Sequence, residues 1–404
     1  GKEVGPLGGV PISLKDLLCT NGIRTTAGSL VYKDFVPTED SVWAERVKKA
    51  DAIVVGKTNT PEFGMGGGGR TINRLMDECV NPWDPDRTCG SSSGGASASV
   101  VSGMTPVALG SDGGGSIRVP AAFCGVFGLH PSNGRVPRYG DMGSSPLFAG
   151  VGPITRDVRD AAITFQVLAG PDPRDPTCMK DTPPDYLENL EQGVRGLRLA
   201  WVPDAGRVEG IQASVVEAVG KAVGRFEELG AHVEEPRITF GVEEVYEAFR
   251  LINTVDRCVL VGTQLYDDPA TRDLLASGML EAFPFASKVT AAEYSRALQV
   301  RVRFIDRLEK IFQGYDLVLS PSGSMVAPPR EEVSSTRLSD AYSAYTFIVN
   351  FSGFTAASVP AGFVDGMPVG MQVMGRPNDE ATVLRASRAL EEALPWAEKH
   401  PPVN

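Results

Sequence analysis

The stretch GSSSGGASASVVSGMTPVALGSDGGGSIR, from Gly90 to Arg118, is the part of this 404-residue chain that decides its fold. It contains two loops rich in serine and glycine, GSSSGG at Gly90–Gly95 and GSDGGGSIR at Gly110–Arg118. Between the loops, Gly95–Gly103 has the small residues of a helix packed closely inside a core. Thr105–Leu109 then predicts a buried strand.

Outward from this stretch, apolar strands alternate with amphipathic helices in both directions along the chain. The predicted strands include Pro11–Leu18, AIVVGK after Asp51, Leu197–Val202, Tyr315–Ser320 and Ser358–Phe363. The predicted helices are Ser41–Ala50, Asp157–Leu168, Val215–Leu229, a mostly helical Thr239–Arg303, and Thr382–Leu394. Alternation of this kind predicts an α/β sandwich.

The composition indicates where the protein is located and which kinds of partner it is not expected to bind. The net charge of −11 argues against a nucleic-acid partner and against an acidic membrane, because phosphate binding needs a basic surface. No signal peptide opens the chain, and no run of 18 apolar residues predicts a membrane span. Six cysteines without CxxC spacing indicate buried reduced thiols in a cytoplasmic protein.

The second serine-rich loop has the pattern of a nucleophile beside a group of amide donors. Three glycines before Ser116 let the backbone turn and bring several N–H groups to one point. Such donors can stabilise the oxyanion of a tetrahedral intermediate, with Ser116 as the attacking group. A structural glycine turn and a nest for a phosphate anion are the alternatives for this loop taken alone.

A serine nucleophile needs an adjacent base, and histidine is a poor candidate here. None of the three histidines lies in a recognisable triad context, whereas Lys15 in LKD can serve a serine–lysine variant. An ordinary lysine must lose about three pKa units to act at neutral pH, which requires burial away from anions. Asp16 must therefore point elsewhere, and a surface lysine is the alternative.

Taken together, these segments resemble the amidase signature family. The similar stretches are PLGGVPISLKDLLCTNGIRTTAGS, GKTNTPEFGMG, NPWDP, GSSSGGASASVVSG, GSDGGGSIRVPAAFCGVFGLHPSNGRVP, GPITRDVRDAA, SPSGS, NFSGFTAASVPAGF and GMPVGMQVMG. The resemblance implies one domain over 1–404, with a mixed central β-sheet covered by helices on both faces. It also implies a catalytic core of 1–170 and 310–404, and a variable, substrate-shaping region at 171–309.

The resemblance implies a role for each matching residue. Lys15 matches the family's base, Ser92 its bridging serine after a non-proline cis peptide bond, and Ser116 its acylated nucleophile. The other matches are the backbone amides of an oxyanion hole at Gly113, Gly114, Gly115 and Ser116, and residues that brace the loops, Ser93, Asp112 and Arg118. This chemistry needs no metal or organic cofactor.

Some positions depart from the family pattern without removing a catalytic group. Ser91 replaces a glycine in the first loop, and HPS at His130–Ser132 stands where KPT or KPS is usual. His130 has apolar neighbours and is predicted to be structural. Gly64–Gly69 formally satisfies G-x-G-x-x-G, but no strand precedes it and no helix follows it, so a dinucleotide site is not expected.

Two functions fit the resemblance. The first is a free-standing amidase that hydrolyses a small-molecule amide to a carboxylate and ammonia or an amine, with a homodimer as a possible assembly. The alternative is a glutaminase-type subunit of a tRNA-dependent amidotransferase, which LKDLLCTNGIRTTAGS resembles. Because Ser144–Gly152 lacks the SLDQ-like stretch expected of that subunit, the sequence favours the free-standing enzyme.

The substrate pocket is predicted to draw on two loops and on aromatic residues of the variable region. The loops are Phe63–Gly66 and Gly143–Ala149. The aromatic candidates are Tyr246, Phe249, Tyr266, Phe283 and Phe285. Each aromatic residue taken singly is more typical of the core than of a pocket wall.

Overall fold

The apolar runs of the sequence form the strands of one large sheet in a computed structural model of the chain. The structure describes residues 4–65, 67–204, 210–334 and 343–402. The strands are β1 Pro11–Lys15, β2 Ile53–Thr58, β3 Val80–Asn81, β4 Asp84–Thr88, β5 Val107–Asp112, β6 Phe127–His130, β7 Gly150–Thr155, β8 Arg198–Trp201, β9 His232–Glu234, β10 Leu317–Pro321, β11 Thr355–Val364 and β12 Met367–Gly375.

Ten of these strands build the central sheet in the order β2-β1-β5-β7-β6-β11-β12-β10-β8-β9, and β3 pairs with β4 separately. Strand β1 is parallel to β2 and β5, while β5, β7, β6, β11 and β12 are antiparallel to their neighbours in that order. At the other end, β12 and β10 are antiparallel, and β10, β8 and β9 are parallel. The predicted mixed sheet is confirmed.

The described helices include those whose apolar side chains cover this sheet. They are α1 Val42–Lys49, α2 Gly94–Val101, α3 Arg118–Cys124, α4 Val158–Leu168, α5 Ala213–Glu228, α6 Val242–Val261, α7 Gln264–Asp267, α8 Pro269–Arg272, α9 Ser277–Ala286, α10 Ala291–Gly314, α11 Phe347–Ser352 and α12 Glu380–Ala393.

Strand β10 shows that both faces of the sheet are buried. Leu317 and Leu319 belong to one hydrophobic cluster with α1, α4, α5 and α12, whereas Val318 belongs to another with α6, α10 and α11. Because neighbouring side chains on a strand point to opposite faces, these clusters lie on opposite sides of the sheet. The predicted arrangement of helices on both faces is therefore confirmed.

The sheet also places the two serine-rich loops next to each other. The parallel strands β1 and β5 pair through Ile12–Leu14 and Val107–Leu109, so their carboxyl ends lie at the same edge of the sheet. Lys15 ends β1, and Asp112 ends β5. The predicted strand Thr105–Leu109 is shifted, since β5 continues to Asp112 with both faces buried.

The predicted helical stretch Thr239–Arg303 is divided into several helices. Gly262, with φ of +105°, ends α6, and Pro269 begins α8. Thr290 then caps α10 by accepting from the Glu293 N–H while Glu293 reaches back to the Thr290 N–H. The helical periodicity predicts the helices correctly, but it does not predict these breaks.

Candidate active site

Lys15 lies at the centre of the cluster, fully buried at the end of β1. Its Nζ is 2.7 Å from Ser92 Oγ, 2.9 Å from Ser93 Oγ and 3.3 Å from the carbonyl oxygen of Ser111. The contacts join a residue of β1 to residues 77, 78 and 96 positions further along the chain. The structure thus brings together Lys15 and both serine-rich loops, as the sequence predicted.

The electrostatic surroundings of Lys15 favour its neutral form. Burial lowers its pKa well below the ordinary range, and the positive charge of Arg257 lowers it further. Asp112 and Asp141 act in the opposite direction but do not outweigh the burial. Asp16 is turned away, since its carboxylate accepts hydrogen bonds from the backbone N–H and the hydroxyl of Thr26.

The first loop places its serines at different depths. The Ser91–Ser92 peptide bond is cis, and Ser92 is only 4% exposed. Ser91 is half-buried and lines a pocket, whereas Ser93 is fully buried. The Ser93 hydroxyl donates to the Ser111 carbonyl oxygen at 3.1 Å, and the Ser93 N–H donates to the Ser116 carbonyl oxygen at 3.1 Å. Ser93 therefore ties the two loops together.

Asp112 and Arg118 form a buried ion pair below the second loop, and both side chains have no exposed surface. Arg118 Nε donates to Asp112 Oδ2 at 3.0 Å. Burial by itself would raise the pKa of Asp112, but the Arg118 charge and hydrogen bonds hold that pKa well below its usual range. The ionised carboxylate also accepts from the N–H groups of Gly115 at 2.6 Å and Ile117 at 3.1 Å.

Sequence reasoning missed two side chains that complete this ion pair. Asn350 Nδ2 donates to Asp112 Oδ1 at 2.9 Å, and Arg118 donates to Asn350 Oδ1 and to Gln372 Oε1, the latter at 2.7 Å. Asn350 and Gln372 are 232 and 254 positions away from Arg118. Both lie in stretches quoted for the family resemblance, NFSGF and GMQVMG, which is the only signal the sequence offered.

The second loop exposes its serine to the pocket. Ser116, Gly113 and Gly114 are half-buried and line it. Among the described residues, the N–H groups of Gly113, Gly114 and Ser116 make no hydrogen bond, whereas the Gly115 N–H is taken by Asp112. Gly115 is therefore reassigned from the predicted oxyanion hole to the support of the loop. Only glycine suits position 115, because its φ is +125°. A Cβ added there would also lie 2.1 Å from Thr346 Oγ1.

The pocket beside these loops has a volume of about 270 Å³. Its walls come from the two serine-rich loops, from the glycine-rich run after Pro61, and from one face of α6. The lining residues are Pro61, Gly64, Met65, Gly67, Gly68, Gly69, Ser91, Gly113, Gly114, Gly115, Ser116, Val119, Tyr246, Phe249, Asn253, Arg257 and Ser343.

The pocket prediction from sequence is right for some residues and wrong for others. Tyr246, Phe249, Gly64 and Met65 line the pocket, while Gly66 lies outside the described residues. Three other aromatic candidates pack elsewhere, because Tyr266 stacks on Phe283 with ring centroids 5.4 Å apart and Phe285 lies under Arg250. None of the described residues of 143–149 lines the pocket; Phe148 instead packs against Phe249 at 5.3 Å.

His130 lies behind the ion pair, with Nδ1 3.9 Å from Asp112 Oδ1. Burial lowers the pKa of His130 to about 3, so the ring is neutral at physiological pH. Neither ring nitrogen has a hydrogen-bond partner among the described residues. His130 does not line the pocket and pairs with Ala356 of β11 through its backbone, as expected of a structural residue.

Arg257 and Asn253 are the pocket residues that sequence reasoning missed entirely. Both lie on α6, four residues apart, so they share one face of the helix. Arg257 is 8% exposed, and its Nη2 donates to the Phe63 carbonyl oxygen. A polar residue in a helix with aromatic and aliphatic neighbours gave no local sign that it would face a pocket.

Several known proteins are similar to this chain in sequence and in fold. A family model described as Amidase matches residues 1–384. A glutamyl-tRNA(Gln) amidotransferase subunit of Moorella thermoacetica is 37% identical, over 99% of this chain and 86% of that relative. The crystal structure of the corresponding subunit from Thermotoga maritima superposes with a TM-score of 0.86 at 33% identity, covering 98% of this chain and 85% of that one. A bacterial aryl acylamidase of the amidase signature family gives a TM-score of 0.88 at 31% identity, with 98% and 85% covered.

These relatives overturn the partners expected from the sequence. A small-molecule substrate, a homodimer and no nucleic acid were predicted, yet several relatives at 36–37% identity are named as subunits of an enzyme for glutamyl-tRNA(Gln). The prediction failed because the net charge of −11 describes one chain as a whole. It excludes neither a second polypeptide nor a locally basic surface.

Two further observations complete the comparison. In the described residues, no helix is both long enough and apolar enough to cross a membrane. The family match spans nearly the whole chain, and the fold with its ten-stranded sheet superposes on structures of amidase signature enzymes. The chain therefore belongs to the amidase signature family, whose members are hydrolases acting on carbon–nitrogen bonds.

Proposed function

We propose that this chain is the glutaminase-type subunit of a tRNA-dependent amidotransferase and releases ammonia from the side-chain amide of glutamine. The names of relatives that cover 99% of the chain support this assignment. One structural observation carries the amide hydrolysis: fully buried Lys15 lies 2.7 Å from Ser92, beside a half-exposed Ser116 that faces the pocket. A cytoplasmic location, predicted from the sequence, accords with a reaction on tRNA.

The hydrogen bonds around Lys15 suit a neutral amine that accepts a proton. The Ser93 hydroxyl hydrogen is directed to the Ser111 carbonyl oxygen, so Ser93 Oγ accepts from Lys15. A second amine hydrogen reaches the Ser111 carbonyl oxygen. The lone pair of a neutral amine is then available to the Ser92 hydroxyl at 2.7 Å. In this arrangement Lys15 is the base and Ser92 the group that passes it a proton.

The proposed reaction proceeds through an acyl-enzyme. Lys15 takes the proton of Ser92 while Ser92 takes that of Ser116, and Ser116 Oγ forms a bond to the amide carbon. The N–H groups of Gly113, Gly114 and Ser116, three residues that line the pocket, make no hydrogen bond within the described chain and would stabilise the resulting oxyanion. The protons return along the same path to the leaving nitrogen, ammonia departs, and water then releases the carboxylate.

We also propose the division of labour suggested by the sequence. The core segments 1–170 and 310–404 supply Lys15, both loops and the residues that support them. The variable region 171–309 supplies Tyr246, Phe249, Asn253 and Arg257 to the pocket wall. Chemistry would thus reside in the core, and the choice of substrate in the variable region.

Ammonia release from glutamine by the purified chain tests the proposal. We expect turnover by the wild-type protein and none by Ser116→Ala, which controls for contaminating glutaminases. Ser97→Ala is the matched control, because Ser97 is buried on α2 and its hydroxyl has no partner in the described chain. Ammonia release that persists in Ser116→Ala would contradict the assignment.

Hydrolysis of aryl amides is the second candidate function. Tyr246 and Phe249 form an aromatic wall of the pocket, and an aryl acylamidase superposes with a TM-score of 0.88. A panel of aryl and aliphatic amides beside glutamine separates the two candidates. Turnover of anilides with inert glutamine would favour this second function over the first.

A further inference from the structure

Two cysteines face each other across the short hairpin that leads into the first serine-rich loop. Val80 of β3 pairs with Thr88 of β4 in antiparallel register, so Cys79 and Cys89 occupy the next pair of opposite positions. Residues directly opposite in such a ladder have Cα atoms about 4.5–5.5 Å apart, inside the range of about 4.4–6.8 Å that a disulfide spans. Both side chains are free thiols, and the Cys89 sulfur lies 3.0 Å from the carbonyl oxygen of Cys79.

The two thiols differ in exposure and in acidity. Cys79 is half-buried, whereas Cys89 is fully buried. A hydrogen bond from the Cys89 thiol lowers the pKa of Cys79 despite its burial, while the same contact and burial together raise the pKa of Cys89. Peroxides oxidise a cysteine that has thiolate character and access to solvent, and a neighbouring thiol converts the product to a disulfide. Cys79 is thus the thiol that reacts first, and Cys89 is the resolving thiol.

The sulfur of Cys89 also packs against the helix that follows the first serine-rich loop. A methyl group added at Gly94, the first residue of α2, would lie 2.5 Å from Cys89 Sγ. Ser92 lies between these two residues in the chain, and its Oγ is 2.7 Å from the Lys15 amine. A Cys89 sulfur that turns towards Cys79 leaves the space beside Gly94. The packing under the loop then changes, and the position of Ser92 changes with it.

We propose that Cys79 and Cys89 form a reversible disulfide when hydrogen peroxide oxidises the protein, and that this bond slows amide hydrolysis. In the first step the Cys79 thiolate attacks the peroxide, the O–O bond breaks, and the hydroxide that leaves takes a proton from solvent. In the second step the Cys89 sulfur attacks the Cys79 sulfenic acid, the S–O bond breaks, and water leaves with the Cys89 proton. The two thiols lose two electrons, which the peroxide takes up. The effect on hydrolysis rests on the proposed function.

Peptide mapping and activity measurements on the purified chain, before and after treatment with hydrogen peroxide, test the proposal. We expect a cross-linked peptide pair that contains Cys79 and Cys89 and that dithiothreitol separates. Ammonia release from glutamine should fall on the order of tenfold on oxidation and recover on reduction, because misplacing a catalytic group by about 1 Å can cost a hundredfold in rate.

Three variants assign the roles of the two thiols. Cys79→Ser should keep the activity of the reduced protein, form no disulfide and resist the reversible inactivation. Cys89→Ala should leave a sulfenic acid on Cys79, which dimedone labels. Cys19→Ser is the matched control, because Cys19 is also half-buried but burial raises its pKa, and this variant should respond to peroxide like the wild type.

Several outcomes would overturn the inference. A peptide pair that joins Cys89 to Cys124 would reject the pairing, and so would a sulfenic acid on Cys79 that never becomes a disulfide in the wild-type protein. A Cys79–Cys89 disulfide that leaves ammonia release unchanged would reject its effect on hydrolysis. Equal losses of activity in the wild type and in Cys79→Ser would show that peroxide acts at another residue.

Measurements without a substrate separate this inference from the proposed function. Amide turnover by the reduced chain without a cross-link on oxidation rejects only the inference. A cross-link in a chain that hydrolyses neither glutamine nor aryl amides rejects the proposed function, and hydrogen exchange then tests the link between the disulfide and the loop. The amides of residues 90–101 should exchange faster after oxidation in the wild type but not in Cys79→Ser. Unchanged exchange in the cross-linked protein would reject that link.

Discussion

The serine-rich core of the site and the α6 wall of the pocket both contain buried charge, but only in the core is that charge paired within the described chain. In the core, Asp112 and Arg118 are fully buried and satisfy each other together with Asn350 and Gln372. On α6, Arg257 is nearly as buried but meets no carboxylate of the described chain within 4 Å. A buried charge whose hydrogen bonds are satisfied can hold the loops in place, whereas a buried charge without a carboxylate partner is costly to the folded state.

Under the proposed function, this difference would separate the residues that carry out the chemistry from those that select the substrate. Loops that must hold atoms within a few tenths of an ångström are braced by strands β1, β5, β11 and β12 and by glycines that accept no side chain. The opposite wall consists of side chains from one helix, which can change without moving the loops. If the proposed division of labour holds, the same core could serve different amides when the wall changes.

The largest effect on activity is expected from removing Ser116, the proposed nucleophile of the serine-rich core. Ser116→Ala should lower kcat/KM by at least about 10⁴-fold while leaving the melting temperature unchanged, because the role proposed for this serine is in the reaction with substrate and not in the fold. Mass spectrometry after treatment with a serine-directed phosphonate should locate the label on Ser116. Label on Cys89 or Cys124, both fully buried, would contradict the assignment.

The proton path through the core should behave as a unit. We expect Lys15→Ala and Ser92→Ala each to lose most of the activity, on the order of 10³-fold or more, and the double variant to be little worse. The reason is that Lys15 and Ser92, 2.7 Å apart, would move one proton between them. Measured kcat/KM values that fall additively would reject the relay, and Ser97→Ala serves as the control.

The paired charge of the core should govern stability more than any exposed pair. Asp112→Asn leaves Arg118 buried without its carboxylate, and we expect a loss of about 3–5 kcal/mol in unfolding free energy. Chemical denaturation measures it. Glu217→Ala, which breaks an exposed pair with Lys221, should leave the stability nearly unchanged. Similar losses for the two variants would show that the buried pair has no special role.

The smallest expected effect is a shift in the pH dependence of kcat/KM when Arg257 on α6 is replaced. The proposed base must be neutral, so kcat/KM should rise with pH through the lowered pKa of Lys15. Arg257 lowers that pKa, while Asp112 and Asp141 raise it. Because removing the Arg257 charge should raise the pKa of Lys15, Arg257→Met should move the acidic limb to higher pH for every substrate. A limb that shifts to lower pH would contradict this coupling.

The sequence by itself determined the fold class and which segments meet around Lys15. Alternating helices and apolar strands predicted the layered sheet, and the two serine-rich loops with LKD predicted which residues would meet around Lys15. These features are local, because periodicity, glycine runs and short motifs involve residues close together in the chain. Even so, local patterns misplaced both ends of β5 and missed the breaks between α6 and α10.

Only the tertiary structure decided which residues surround that cluster. Gly115 belongs to the support of the loop because Asp112 accepts its N–H, and Arg118 meets Asn350 and Gln372 across more than 230 positions of chain. The sequence could not separate the aromatic residue that lines the pocket, Phe249, from one that packs in the core, Phe283. Contacts of this range arise from the packing of whole helices on the sheet, which a single sequence does not encode locally.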